Sequence, residues 1–189
     1  MGDAKRRKLT EGEKPSVTPE RQLLAKAAHH FNQHFVVAKR LVGGCYYISL
    51  ALRHYLGTAH GLSVTSVIGF IRPKREGYRW SSHMWIEYDE RITDLAVAMA
   101  QPPSFPGQLL IDGRVRKDGS LTAYSKIKPT DGVEIDIDRW DAVGDQARKE
   151  YTFYSELASS NLDTIGEYLK STSAEHQIAV GRVWRVFHP

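Results

Sequence analysis

The strongest constraint on the fold is one stretch, SSHMWIEYDERITDLA, which spans residues 81–96. Apolar side chains recur at every second position before the polar pair Asp89-Glu90, which is typical of two short strands around a tight turn. If Asp89 and Glu90 form a two-residue turn, Glu87 faces Ile92 across the hairpin. The stretch therefore predicts an antiparallel hairpin whose register is set by its turn.

This register places two chemically active side chains on one face. Side chains alternate between the two faces of a strand, so His83 and Asp94 become diagonal neighbours, about 7–8 Å apart between backbone positions. An aspartate there can accept a hydrogen bond from one imidazole nitrogen, which fixes the tautomer and favours the charged ring. A three-residue turn would put the two side chains on opposite faces and break the pairing.

The single cysteine of the chain, Cys45, follows Gly43-Gly44 and opens the segment CYYISLALRHYLG, which has helical spacing. A helix N-terminus favours the thiolate form of a cysteine and offers backbone N–H groups to an oxyanion. Cys45, His83 and Asp94 would thus supply a nucleophile, a base and an orienting group. Each alone has a plainer explanation, since a lone cysteine is most often a small buried hydrophobe. Their joint occurrence makes them the candidate catalytic residues.

The rest of the chain predicts a mixed α+β domain. Thr18-Pro19-Glu20 marks a helix start, because a capping residue, a proline and an acidic residue suit the first turn. Gly57 is the expected stop of the second helix. Periodicity and turn residues predict a first helix to about Val37, a strand over Leu62–Ile71, a hairpin turning at Asp112-Gly113, a strand over Val133–Asp138, and helices over Ala142–Leu157 and Leu162–Leu169.

Domain organisation follows from the distribution of apolar residues. Residues 1–17, MGDAKRRKLTEGEKPSV, contain too few large apolar side chains to offset the entropy of ordering, so we expect a flexible basic tail. Residues 18–189 are expected to form a single domain. The overall 41% hydrophobic and 25% charged fractions are typical of a soluble globular protein.

Composition also excludes several functional classes. One cysteine rules out an internal disulfide and a multi-cysteine metal site. The net charge of +4 matches the basic run Lys5-Arg6-Arg7-Lys8, so no specific nucleic-acid binding is expected. No segment is long and apolar enough to span a membrane or to act as a secretory signal. We expect a cytoplasmic protein, with nuclear targeting by the basic run or secretion as an effector left open.

The histidine-rich group His29, His30 and His34 is the candidate for a metal site. His30 and His34 lie one helical turn apart and could share a metal ion. The chain contains no H-E-x-x-H motif, however, and we expect neither a metal nor another cofactor.

The segments GGCYYISLALRHYLG, SSHMWIEYDE and ITDLA resemble the transglutaminase-like superfamily of papain-like cysteine enzymes. Members place a cysteine at a helix start, then a His-x-Trp-aliphatic-Glu strand, then an aspartate in the next strand. Cys45, His83 and Asp94 match these positions, and the resemblance covers about a third of the chain. Tyr46 stands where animal transglutaminases usually carry tryptophan, and no calcium loop is evident, so the chain is more similar to compact bacterial members.

The resemblance implies a papain/transglutaminase-like core, in which N-terminal helices, with the catalytic cysteine at a helix start, pack on an antiparallel sheet and C-terminal helices follow. It implies thiol chemistry on an amide or ester carbonyl of a protein or peptide, through a thioester. Water as the acceptor gives a peptidase, an amidase or a protein-glutamine deamidase, and an amine gives a transglutaminase or acyltransferase. A non-catalytic binding module with the same fold is the other alternative.

Further site residues are less sharply defined. Asn32, Gln33 and His34 on the first helix are candidates for the second oxyanion donor, beside the backbone N–H of Cys45. Trp85 is a candidate wall of the substrate site. The substrate and the oligomeric state are left open.

Overall fold

A computed structural model describes residues 17–38, 44–74, 80–97, 109–114, 122–126 and 144–172, and within them the architecture is α+β. The described elements are α1 (Pro19–Phe31), a π-helical segment (Asn32–Val37), α2 (Cys45–His60), β1 (Thr65–Pro73), β2 (Ser81–Tyr88), β3 (Arg91–Asp94), β4 (Leu110–Gly113), β5 (Thr122–Ser125), α3 (Gly144–Ser159) and α4 (Leu162–Ser171). The strands form one antiparallel sheet in the order β4-β3-β2-β1-β5. The predicted α+β class is confirmed.

The first helix begins as its sequence predicts. The Thr18 side chain accepts a hydrogen bond from the backbone N–H of Arg21 at 3.3 Å, and Pro19 occupies the first helical position. Helical backbone continues to Val37, but its last part has π rather than α geometry. Such wider turns often mark functional regions, and this one leads into the connection to α2.

The second helix begins at Cys45, as predicted, but does not end at Gly57. It continues to His60 and ends at Gly61, whose φ of 64° is the left-handed conformation that glycine adopts at low cost. Gly57 instead lies under Leu162 at the start of α4, where a Cβ atom would overlap the Leu162 side chain. The prediction was wrong because this glycine permits close helix packing rather than a helix stop.

The hairpin of β2 and β3 has the predicted turn and register. Asp89 and Glu90 form the turn with φ values of 49° and 57°. Tyr88 pairs with Arg91, and Glu87 pairs with Ile92. Positive φ at both turn positions matches the right-handed twist of the flanking strands.

The predicted turn at Asp112-Gly113 is wrong. Both residues lie within β4, where Gly113 pairs with Ile92 of β3 and the register shifts toward Asp94. Asp112 has a φ of 49° at this irregularity, and its backbone N–H donates to Thr93 Oγ1 at 3.0 Å. An aspartate tolerates the left-handed conformation, so Asp-Gly serves here as a strand irregularity.

In the described part of the chain, buried apolar side chains form two clusters on the sheet. The larger joins the helices to the face of β2 that carries Met84 and Ile86. There, Ser49 of α2 donates to the Met84 carbonyl at 3.1 Å. The smaller consists of Ile71, Trp85 and Val97. Since β2 contributes alternate side chains to the two clusters, both of its faces are buried.

The C-terminal helices α3 and α4 agree with the two predicted helices in this region. The predicted strand over residues 133–138 and residues 1–16 of the predicted tail lie outside the described residues. Within the described ranges, no helix combines the length and the apolar character needed to cross a membrane.

Candidate active site

The β2–β3 hairpin brings His83 and Asp94 into direct contact. His83 Nε2 lies 2.9 Å from both carboxylate oxygens of Asp94. The pair is enclosed, since His83 is 2% exposed and Asp94 is 0% exposed. Removing water from such a pair strengthens the attraction between its charges, so this contact is a strong constraint on the imidazole ring.

Three further donors hold the Asp94 carboxylate. Oδ1 accepts the backbone N–H groups of Ala96 at 3.2 Å and Val97 at 3.1 Å, just after the strand ends. Oδ2 accepts the hydroxyl of Tyr124, from β5, at 2.9 Å. A carboxylate that accepts several hydrogen bonds has little freedom to rotate, which fixes the direction in which it holds His83.

The N-terminus of α2 brings Cys45 to His83. The charged imidazole donates a hydrogen bond to the Cys45 sulfur. Because Asp94 occupies Nε2, Nδ1 is the ring nitrogen left for the thiol. Cys45 keeps 7% of its surface exposed, and the first N–H groups of a helix have no acceptor within it. The three predicted catalytic residues are therefore brought together.

The surroundings of His83 favour its protonated form. Burial alone would lower the pKa of His83, because a low-dielectric environment penalises a charge. The negative charges of Asp94 and Cys45, and hydrogen bonds to both, outweigh burial and raise this pKa from 6.5 to about 10. At neutral pH the resting site therefore contains a protonated His83.

Tyr124 is held beside this pair as a hydrogen-bond donor. Burial, followed by the charge of Asp94 and the hydrogen bond to it, raises the pKa of Tyr124 far above its ordinary value of 10. Its ring meets the Trp85 indole edge-on, with centroids 5.2 Å apart and planes at 79°. The phenol therefore keeps its proton and can only donate to Asp94.

Gly69 of β1 pairs directly with His83 in the sheet. A Cβ atom at this position would overlap the backbone oxygen of Ser125 and would lie 2.6 Å from the Trp85 ring. The missing side chain lets β5 and the indole approach closely, which lets the neighbouring Tyr124 reach the triad.

Trp85 is on the predicted face but is enclosed. It is 1% exposed, and its indole N–H donates to Glu87 Oε1 at 3.0 Å. Glu87 in turn pairs with Lys126 at 2.6 Å. The indole therefore packs behind the triad, and the suggested contact with substrate stays a prediction.

The remaining candidates lie on or beside the π-helical segment. Asn32 is half-buried and Gln33 is exposed, and within the described residues neither hydrogen-bonds to the triad. The rings of His30 and His34 lie 4.2 Å apart. The part of the chain that the structure describes contains no group of three or more His, Cys, Asp or Glu residues able to hold a metal ion.

Two features of the site were not predicted. The Asp94 bonds to following N–H groups form a common aspartate turn, and the short TDLA segment after a strand carried a usable signal for it. Tyr124 carried no such signal, because β5 reaches the site only by pairing with β1, which lies far away in sequence.

No family model, curated protein or solved structure matches this chain.

Proposed function

We propose that the chain is a thiol hydrolase that cleaves an amide or ester bond through the triad Cys45, His83 and Asp94. The observation that supports it is the enclosed His83, which hydrogen-bonds Asp94 through Nε2 and Cys45 at its other side. A nucleophile, a proton carrier and an orienting carboxylate in this order are the minimal parts of such an enzyme.

Acylation uses the charged resting pair. The Cys45 thiolate attacks the carbonyl carbon, and the new oxyanion is stabilised by the backbone N–H groups at the start of α2. The intermediate then collapses, the bond to the leaving group breaks, and the His83 imidazolium gives its proton to that group. The products are a Cys45 thioester and a neutral imidazole.

Deacylation reverses these roles. Neutral His83 takes a proton from water as the water oxygen attacks the thioester carbonyl. The carbon–sulfur bond then breaks, the carboxylic acid leaves, and the thiolate and imidazolium are restored. Asp94 keeps the ring oriented in both steps without accepting its proton.

We also propose that the arrangement is a papain/transglutaminase-like core. Its support is the order along the chain, with a cysteine that begins α2, a histidine on β2 and an aspartate on β3. The packing of α2 against β2 is consistent with the same proposal. This fold would leave the substrate to be determined by surfaces around the triad.

Alkylation of the single thiol tests the reactive pair. Iodoacetamide should modify Cys45 readily at pH 6, where an ordinary thiol, with a pKa of about 8.5, is almost unreactive. His83→Ala should slow this reaction by at least about ten-fold, because the thiolate loses its imidazolium partner. Since the chain has one cysteine, intact mass reports on this site alone.

His29→Ala is the matched control, because His29 is an exposed histidine on α1. Its alkylation rate should equal that of the wild type. If Cys45 reacts only at high pH and His83→Ala changes nothing, the chain is a binding module and the proposal fails.

Turnover is tested with a p-nitrophenyl ester. The wild type should release one equivalent of nitrophenolate in a burst, carry an acyl group on Cys45, and then lose it to water. Cys45→Ala should show neither burst nor adduct. Transfer of the acyl group to an added amine in preference to water would make the enzyme an acyltransferase instead.

A further inference from the structure

We propose that Tyr124 is a positioning residue, whose hydroxyl holds Asp94 and moderates its attraction for the His83 proton so that the acyl-enzyme can be hydrolysed. This inference rests on the proposed function. It assigns to Tyr124 a share in the second half of the reaction, in which His83 must act as a neutral base.

The Tyr124 hydroxyl reaches the Asp94 carboxylate from a strand that is not its neighbour in the sheet. Tyr124 belongs to β5 at the edge of the sheet and pairs with Ile71 of β1, whereas Asp94 belongs to β3, two strands beyond β1. The phenol nevertheless donates to Asp94 Oδ2 at 2.9 Å. Its ring is fixed by edge-on contact with Trp85. A tyrosine needed only for packing would not require its hydroxyl at the carboxylate.

The chemical consequence concerns the distribution of negative charge. A hydrogen bond from Tyr124 withdraws charge from the Asp94 carboxylate, which therefore stabilises the His83 imidazolium less strongly. In the resting enzyme Cys45 also stabilises the imidazolium, so His83 stays protonated. In the acyl-enzyme the sulfur is neutral, and Asp94 becomes the main partner. At that stage the hydroxyl of Tyr124 raises the fraction of neutral His83.

Among the described residues, Asp94 of β3 and Cys45 of α2 are the ionisable groups that act on His83 directly. Tyr124 of β5 acts through its hydrogen bond to Asp94. Glu87 of β2, on the same face, is paired with Lys126 after β5. The Arg72 guanidinium of β1 lies over the Trp80 ring, 5.1 Å from its centroid, three residues along the strand from Gly69, which pairs with His83.

The first experiment is an NMR titration of His83 that needs no substrate. Cys45→Ala removes the negative charge beside His83, as acylation of the thiolate does. Tyr124→Phe is added to it to remove the hydroxyl that donates to Asp94. The His83 midpoint should rise by about one pH unit, as expected for loss of a hydrogen bond to a charged group. An unchanged or lower midpoint would overturn the inference.

Tyr88→Phe is the matched control, because Tyr88 lies at the end of β2 and packs in the larger cluster, away from Asp94. It should leave the His83 midpoint unchanged. If Tyr124→Phe does not fold, 3-fluorotyrosine at position 124 keeps the ring and is a stronger donor, so it should lower the midpoint. A midpoint that does not fall would count against the inference.

The second experiment separates the two half-reactions in Tyr124→Phe with Cys45 intact. Hydrolysis of the acyl-enzyme formed from the p-nitrophenyl ester should slow roughly ten-fold at pH 7, and the pH dependence of this hydrolysis should move to higher pH. Alkylation at pH 6 should be unchanged. Deacylation at the wild-type rate would overturn the role of Tyr124, whereas a wild type that forms no adduct would overturn the proposed function and leave the titration to decide Tyr124.

Discussion

At the scale of single residues, His83 couples the chemistry of the site to the stability of the fold. Its pKa is raised from 6.5 to about 10 because Asp94 and Cys45 outweigh the effect of burial. A group whose pKa is higher in the folded chain than in the unfolded chain binds more protons when folded. Its contribution to stability is therefore complete below pH 6.5 and is lost as the pH rises toward 10.

Replacing His83 with glutamine, which does not titrate, should expose this linkage. The wild type should exceed His83→Gln in free energy of unfolding by an amount on the order of a few kcal/mol at pH 6, and the gap should shrink up to pH 10. Urea denaturation at a series of pH values measures it. His29→Gln, at an exposed position, should show no pH-dependent gap. A gap that stays constant with pH would contradict the raised pKa.

At the scale of elements, local signals succeeded where one segment determined its own geometry. The alternation of residues 81–96 was sufficient to predict the Asp89-Glu90 turn and the pairing of Glu87 with Ile92. The same reasoning failed at Gly57, because its role depends on Leu162 of a distant helix. Asp112-Gly113 failed similarly, since the pairing of β4 with β3 decides its conformation. Non-local contacts leave no periodicity in the sequence.

The hairpin turn is the element most easily improved. Glu90 has a φ of 57° and is exposed, so it bears left-handed strain without a packing role. Glu90→Gly should stabilise the chain by roughly 0.5–1 kcal/mol, because glycine lowers this strain but loses more entropy on folding. Glu90→Ala removes the same charge while keeping the strain, and should give no gain. Equal urea midpoints for the two variants would refute the strain argument.

At the scale of the whole molecule, long-range polar contacts join elements that are distant in sequence. Arg21 of α1 donates twice to Asp112 of β4, through Nε at 3.1 Å and Nη2 at 2.6 Å. Arg53 of α2 donates to the carbonyls of Ala158 and Ser160, at the corner between α3 and α4. Arg21 thus links α1 to β4, and Arg53 links α2 to the C-terminal helices α3 and α4.

Arg53 should therefore control how firmly α3 and α4 are attached. Arg53→Met keeps much of the apolar stem but leaves both carbonyls without their donor, and should cost about 2–3 kcal/mol in urea unfolding. Hydrogen exchange should accelerate in α3 and α4 before it does in the sheet. Lys26→Met, at an exposed position of α1, should leave both measurements unchanged. Uniform acceleration over the whole chain would argue against a local attachment.

Gly69, which pairs with His83, restricts the substitutions that this part of the sheet can accept. Any side chain at position 69 would collide with the backbone of Ser125, so a smaller residue in place of Trp85 could not make room for it. β5 would have to move outward, and the hydroxyl of Tyr124 would move with it. A saturation mutagenesis scan should then score position 69 as intolerant, although it contributes no side chain to the triad, and substitutions there should not be rescued by compensating mutations at position 85.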